Sequence, residues 1–181
     1  MVLTFDPAVV KPIAYSVFER KKLKAFGKVE RKEITPDWIK ETFPDWVIDV
    51  IAVEGQYQGP NARVFQDLVE VRTEIQVLAK YMGLPDLKPI HPKKWQMAVL
   101  PIPADAPRKQ VKLWSKFIAA GLVREDMGIS RVPDEDESDA INIGYYTAAR
   151  LWELLPNSYS LGKRKEQNSD ADRNVSISIE E

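Results

Sequence analysis

Val2-Leu3-Thr4-Phe5-Asp6-Pro7 opens the chain, and after a short break Ile13-Ala14-Tyr15-Ser16-Val17-Phe18-Glu19 follows it. The first is a brief apolar run ended by Asp-Pro. The second alternates apolar and polar residues, so the two read as strands joined by a turn. Phe26 to Ile34 continues the pattern, which predicts a three-stranded antiparallel meander.

Working outward, Thr35-Pro36 supplies a cap followed by proline at a first helical position, and Pro44 stops that short helix. Trp46 to Val53 is a nearly continuous apolar run interrupted by Asp49, the signature of a central strand buried on both faces. Asn61 to Met82 repeats Val64, Leu68, Val71, Ile75, Leu78 and Ala79 at helical spacing, closed by Gly83 and Pro85. Leu87 to Ile90 reads as a further strand, and Pro92, Pro101, Pro103 and Pro107 mark an irregular connection. Arg108 to Ala120, ending at Gly121, and Glu137 to Leu155 read as two more helices, the last with small residues that allow close approach to the sheet. The order predicts an α/β chain with a mixed five-stranded sheet, three strands antiparallel and the others parallel, flanked by helices. Residues 1–156 form one domain on this reading, and the polar stretch 157–181 is expected to be a mobile tail.

The chain has 181 residues, enough for one core of ordinary size and too few for two. Hydrophobic residues make up 44% and charged residues 29%, the balance of a globular chain. It contains no apolar run of membrane-spanning length and does not open like a signal peptide, so a cytoplasmic setting without membrane attachment is expected. With no cysteine and His91 as the one histidine, thiolate and histidine-based zinc sites are excluded. A metal would therefore sit on oxygen, which favours Mg2+ or Mn2+. The net charge of −1 argues against a nucleic-acid partner, but the charges are segregated. Lys88, Lys93, Lys94, Arg108, Lys109, Lys112, Lys116 and Arg124 form a basic stretch containing one acid, Asp105, whereas residues 134–139 carry five acids in six positions. Such blocks suit a surface for a polyanion beside a pocket for cations, and equally suit ordinary solvated faces.

Asp6 ends the first strand and Glu54 follows the predicted central one, so neighbouring strands would present both at one edge. Asp136 and Asp139, three apart at the start of the last helix, share a face. Taken singly each has a plainer use as turn residue, cap or partner of the helix dipole. Together they would be costly when empty, because two like charges about 4 Å apart repel by roughly 4 kcal/mol at an effective dielectric of 20. Two divalent ions roughly 4 Å apart remove that repulsion and suit phosphodiester hydrolysis without a histidine base.

Three motifs in order carry a resemblance. Leu3-Thr4-Phe5-Asp6-Pro7 with Ile13 to Val17, then Ala52-Val53-Glu54-Gly55-Gln56-Tyr57, then Asp136-Glu137-Ser138-Asp139-Ala140 are similar to the acidic motifs of RuvC-type Holliday junction resolvases, of the RNase H-like superfamily. Bacterial and bacteriophage chains both belong to that family. The likeness covers residues 2 to about 152 and departs at Ala8 and Lys11-Pro12, where the family usually has glycine. It implies an RNase H-like fold and a crossover junction endodeoxyribonuclease of DNA recombination and repair. It also implies Mg2+, two ions per site with Mn2+ able to substitute, on Asp6, Glu54, Asp136 and Asp139. Within the dense acidic run, Asp134 or Glu137 stands as an alternative to Asp136.

Arg108, Lys109 and Lys112 open a helix, where the backbone dipole already favours phosphate. Lys109 corresponds best to the basic residue such resolvases place near the scissile phosphate, and Lys93 and Lys94 are further candidates for the DNA backbone. Tyr57 stands where family members carry a ring that stacks on bases at the junction centre, an interaction worth about 1 to 3 kcal/mol per base. Trp95 and Trp114 read as core or interface residues. A nearly two-fold-symmetric junction cut on two strands implies a homodimer, through the helix at residues 61–82 by resemblance. The alternatives are another RNase H-like nuclease acting on RNA–DNA hybrids or other branched intermediates, and a junction-binding protein with an idle acidic cluster.

Overall fold

The computed structural model describes residues 1–55, 61–85, 87–103 and 105–154. Strands β1 (Val2–Asp6), β2 (Ile13–Glu19) and β3 (Lys22–Val29) form the expected antiparallel meander. Strand β4 (Val50–Val53) pairs parallel to β1, giving the order β3-β2-β1-β4. Among the described residues the sheet has four strands, not the five expected. The segment read as a fifth, Leu87 to Ile90, contributes a single parallel bridge between Ile90 and Glu54. Pro89 has no N–H for a ladder, and Pro92 starts a helix two residues beyond the bridge, so pairing cannot extend.

Other boundaries move for equally local reasons. The run from Trp46 becomes a strand only at Val50, because the N-terminal amine of Met1 takes the Val47 carbonyl and the Asp49 carboxylate, and the Met1 carbonyl accepts from the Asp49 N–H. Strand β3 begins four residues before the expected Phe26, closing a tight hairpin with β2, and the chain leaves it through a short turn at Arg31–Glu33.

Helix α1 (Pro36–Thr42) starts as predicted, with Thr35 Oγ1 accepting from the Trp38 N–H at 3.1 Å. Helix α2 (Ala62–Tyr81) is capped by Asn61 and ends at Gly83, whose φ of +70° is the left-handed conformation glycine tolerates. The proline-rich connection contains an unforeseen helix, α3 (Pro92–Val99). Pro92 occupies its first turn, and His91 Nδ1 accepts from the Lys93 N–H as its cap. Helix α4 runs Arg108–Met127, past the predicted stop at Gly121, and ends at Gly128 with φ +69°. Continuation is favoured because Val123, beyond Gly121, is fully buried against the sheet.

Helix α5 (Glu135–Leu154) lies over β1 and β2. Its approach is possible because the facing positions are small on both sides. Thr4, Ser16 and Ala52 are buried in the sheet, and Ala140 and Gly144 in the helix. A Cβ on Gly144 would lie 2.3 Å from Ser16 Oγ and 2.7 Å from Phe18. Ser16 Oγ donates to the Ala140 carbonyl at 2.8 Å, tying the layers together. The core is thereby split by the sheet. Leu3, Phe5, Ile51 and Val53 pack towards α1 and α2, and Val2, Phe18 and Leu23 towards α4 and α5.

Candidate active site

The side-chain parity of β1 and β4 sets the site. Successive residues of a strand face opposite sides of its sheet. Leu3 and Phe5 belong to the core on the α2 side, so Asp6, one residue on, falls on the α5 side; Ile51 and Val53 place Glu54 in the same way. The parallel register aligns Phe5 with Val53, and the Glu54 N–H donates to the Phe5 carbonyl at 3.2 Å. Asp6 and Glu54 therefore leave adjacent strands at one edge and on one face. That is the face covered by the first turns of α5, which carry Asp139.

The three acids influence one another. Burial first, then Glu54 and Asp139, and last Asp136, hold the Asp6 carboxyl well above the usual carboxylate range, with Lys112 pulling the other way. Glu54 is pushed from 4.5 up to about 7, by burial first and then by Asp139, against a hydrogen bond from Trp95 and the charge of Lys112. Lys112 bridges to Asp139 Oδ2, and Ser115 Oγ donates to Asp139 Oδ1 at 2.6 Å. Burial works against the Lys112 charge, but Asp139, by charge and hydrogen bond, and then Asp6 and Glu135 raise its pKa above the ordinary lysine value. Asn142 Nδ2 donates to Ser115 Oγ and to the Ser115 and Ser138 carbonyls, each at 2.9 Å, which fixes the serine.

The other acids of the 134–139 run have different work. Asp134 Oδ1 accepts from the Glu137 N–H at 3.0 Å while Glu137 Oε2 accepts from the Asp134 N–H at 3.1 Å, a reciprocal capping box that starts α5. Glu137 is buried and also paired with Arg131. Asp136 is bound by Lys28 at 3.1 Å and reached by Lys11 at 3.6 Å, so it stands at the rim, still close enough to raise Asp6.

Among the described basic residues, Lys112 is the one whose charge acts on both Asp6 and Glu54. Lys109, one turn earlier on α4, is exposed beside Arg108, and Lys93 and Lys94 are exposed on the first turn of α3. The α4 N-terminus has no side-chain cap. Tyr57 lies outside the described residues, as does the polar stretch from 157 onward. Three contributors escaped the sequence reading. Trp95, 1% exposed, donates from Nε1 to Glu54 Oε1 at 2.6 Å, where only a core or interface role was expected. Ser115 and Asn142 are buried polar residues, and the one legible signal was a serine interrupting the apolar series Val111, Ala119 and Val123 at helical spacing.

As they stand, no three acidic or imidazole side chains among the described residues are gathered closely enough to hold one ion in common. In kind, the donors fit a hard divalent cation. Asp6, Glu54 and Asp139 are all oxygen donors, and their combined charge is offset at the pocket by Lys112 alone among the causes that lower the Asp6 pKa.

Two solved structures of Thermus thermophilus RuvC have this arrangement of elements. The one described as in complex with Holliday junction substrate matches with TM-score 0.56 at 17% identity, over 84% of this chain and 94% of that one. The other matches with TM-score 0.55 at 17% identity, over 84% of this chain and 96% of that one. The chain has the RuvC fold. A Fowlpox virus resolvase, also solved with Holliday junction DNA, is more distant at TM-score 0.41 and 15% identity, over 82% of this chain and 99% of that one. No family model and no curated relative matches the chain. At these identities the likeness to RuvC is one of fold. Among the described residues no helix is long and apolar enough to cross a membrane.

Proposed function

We propose that this protein is a divalent-metal-dependent endonuclease that cuts four-way DNA junctions. The observation that carries the reading is the placement of Asp6, Glu54 and Asp139, from two strand ends and a helix separated widely in sequence, on one face of a RuvC fold. A structural role explains this poorly, because Glu54 and Asp139 raise the Asp6 pKa and Asp139 raises that of Glu54, a repulsion that destabilises the empty site when its acids are ionised.

Asp6, Glu54 and Asp139 would hold the metal, with Asp136 at the rim as a fourth donor. A Mg2+ or Mn2+ pair held there would supply charge neutralisation at the phosphodiester and an activated water at neutral pH. Ser115 orients Asp139. Lys112 pairs with Asp139 and presents a cation to the phosphate side of the pocket, the part that the resemblance implies for Lys109. Exposed Arg108 and Lys109, at the uncapped start of α4, and Lys93 and Lys94 on α3 would grip the DNA backbone. Tyr57, three residues beyond Glu54 in sequence, remains the proposed base-stacking ring.

A symmetric junction calls for two active sites. The exposed side of α2 supports self-association: Val77 and Tyr81 are 60% and 81% exposed beside a groove of about 860 Å³ between α1 and α2. The function is tested by offering the protein a synthetic four-way junction, a flap and an RNA–DNA hybrid of matched length with Mg2+. Paired nicks near the junction centre are expected. Preferential cutting of the hybrid would assign it to a different RNase H-like activity.

A further inference from the structure

Trp95 is the largest fully buried side chain described, and its one polar atom is spent on a member of the acidic cluster. A buried indole needs an acceptor, and a backbone carbonyl would serve a purely structural tryptophan. Here the acceptor is Glu54 Oε1, at 2.6 Å.

The backbone makes this contact rigid. Gly55 donates to the Ile90 carbonyl at 2.7 Å, and Ile90 donates to the Val53 carbonyl at 3.0 Å, so both sides of Glu54 are fastened to the residue that precedes the cap of α3. Gly55 permits that approach: a Cβ there would lie 3.2 Å from the Pro89 Cβ. His91 and Pro92 then start α3 at once, which brings Trp95 round on its first turn. The ring is buried in one cluster with Leu100, Val111 and Ile143, packing that restrains its N–H direction. An indole N–H only donates, and it neither accepts a proton nor binds a cation.

We propose that Trp95 is a positioning residue that fixes the rotation of the Glu54 carboxylate, so that the acidic cluster meets a divalent cation with this ligand already oriented. This rests on the nuclease reading above. Hydrogen bonds of this kind to metal ligands are typically worth about ten- to a hundredfold in metal affinity or activity.

The test is Mn2+ binding to the full chain without DNA, followed by electron paramagnetic resonance of the free ion, for wild type, Trp95→Phe and Glu54→Gln. Trp95→Phe keeps a ring in the core and removes the donor. Its Mn2+ dissociation constant should rise about ten- to a hundredfold. With junction DNA its kcat should fall at fixed Mn2+ while KM is unchanged, and added Mn2+ should restore it. Should Trp95→Phe not fold, 3-benzothienylalanine at position 95 keeps the bicyclic outline and lacks only the N–H, with the same expectation. Wild-type Mn2+ affinity in either folded variant, with Glu54→Gln weakened, would overturn the role of Trp95 alone. Wild-type affinity in Glu54→Gln would overturn the site itself, and the positioning role with it.

Discussion

Lys112 and Asp139, 27 positions apart on α4 and α5, form an ion pair directly beside the strand ends that carry Asp6 and Glu54. The pair joins the basic and acidic blocks of the chain at one point, and it makes the lysine both a structural counter-ion and a cation beside the proposed chemistry.

Removing that lysine should separate the two roles. Lys112→Met leaves a largely buried Asp139 short of a partner, and stability in EDTA should fall by about 1 to 3 kcal/mol. Divalent metal should then raise its melting temperature by more than it does for wild type. Lys109→Ala, at an exposed position, should melt within about 0.5 kcal/mol of wild type. Equal melting of both variants in EDTA would contradict the placement of Lys112.

The raised carboxylates give a pH dependence of definite sign. Glu54 titrates at about 7 when folded against 4.5 ordinarily, so across that window the folded state holds more proton than the unfolded one, and stability in EDTA falls as pH rises. Asp6 acts in the same direction. Thermal melts across this window should show the decline, and Glu54→Gln should flatten it. A rise in stability with pH over the same interval, unaffected by Glu54→Gln, would be the wrong sign.

Filling the cluster should reverse that decline. Added Mg2+ or Mn2+ should raise the melting temperature, with about 2.7 kcal/mol of stabilisation when metal reaches a hundred times its dissociation constant. Asp6→Asn should lose most of the effect. Identical melting curves in EDTA and in millimolar metal would count against the site.

Gly144→Ala tests the seat of α5. The added methyl would meet Ser16 Oγ and the Phe18 ring well inside contact distance, so α5 must shift, at a cost of about 1 to 3 kcal/mol. Because Asp139 rides on α5, Mn2+ affinity should weaken as well. Full stability in this variant would mean that the helix stands further from the sheet than described.

How much of this was legible in the sequence depended on whether local signals sufficed. Thr35-Pro36 and Asn61 with Gly83 delimit α1 and α2 because caps act within a turn. The strand ends at Asp6 and Glu54 follow from apolar runs and one turn signal. Pro92 misled the reading because proline both breaks helices and begins them, and only the bridge at Ile90 shows which applies. Lys112 rather than Lys109 reaches the pocket because of the rotation of α4, set by Val111, Ser115, Ala119 and Val123 packing inward, a tertiary fact. The division of labour within residues 134–139 was likewise unreadable, since a capping box and a metal ligand use the same residue types. The indole of Trp95 looked like core because it is core, and its N–H direction depends on a helix the proline pattern concealed.

Cleavage of a synthetic four-way junction with mapped nick positions, by wild type, Asp6→Asn and Glu54→Gln, tests the central claim most directly. Wild type with Mg2+ should nick two strands symmetrically. Each variant should bind the junction nearly as well and cut it at least about a hundredfold more slowly, about 2.7 kcal/mol of barrier. Undiminished cutting by both variants would contradict the account.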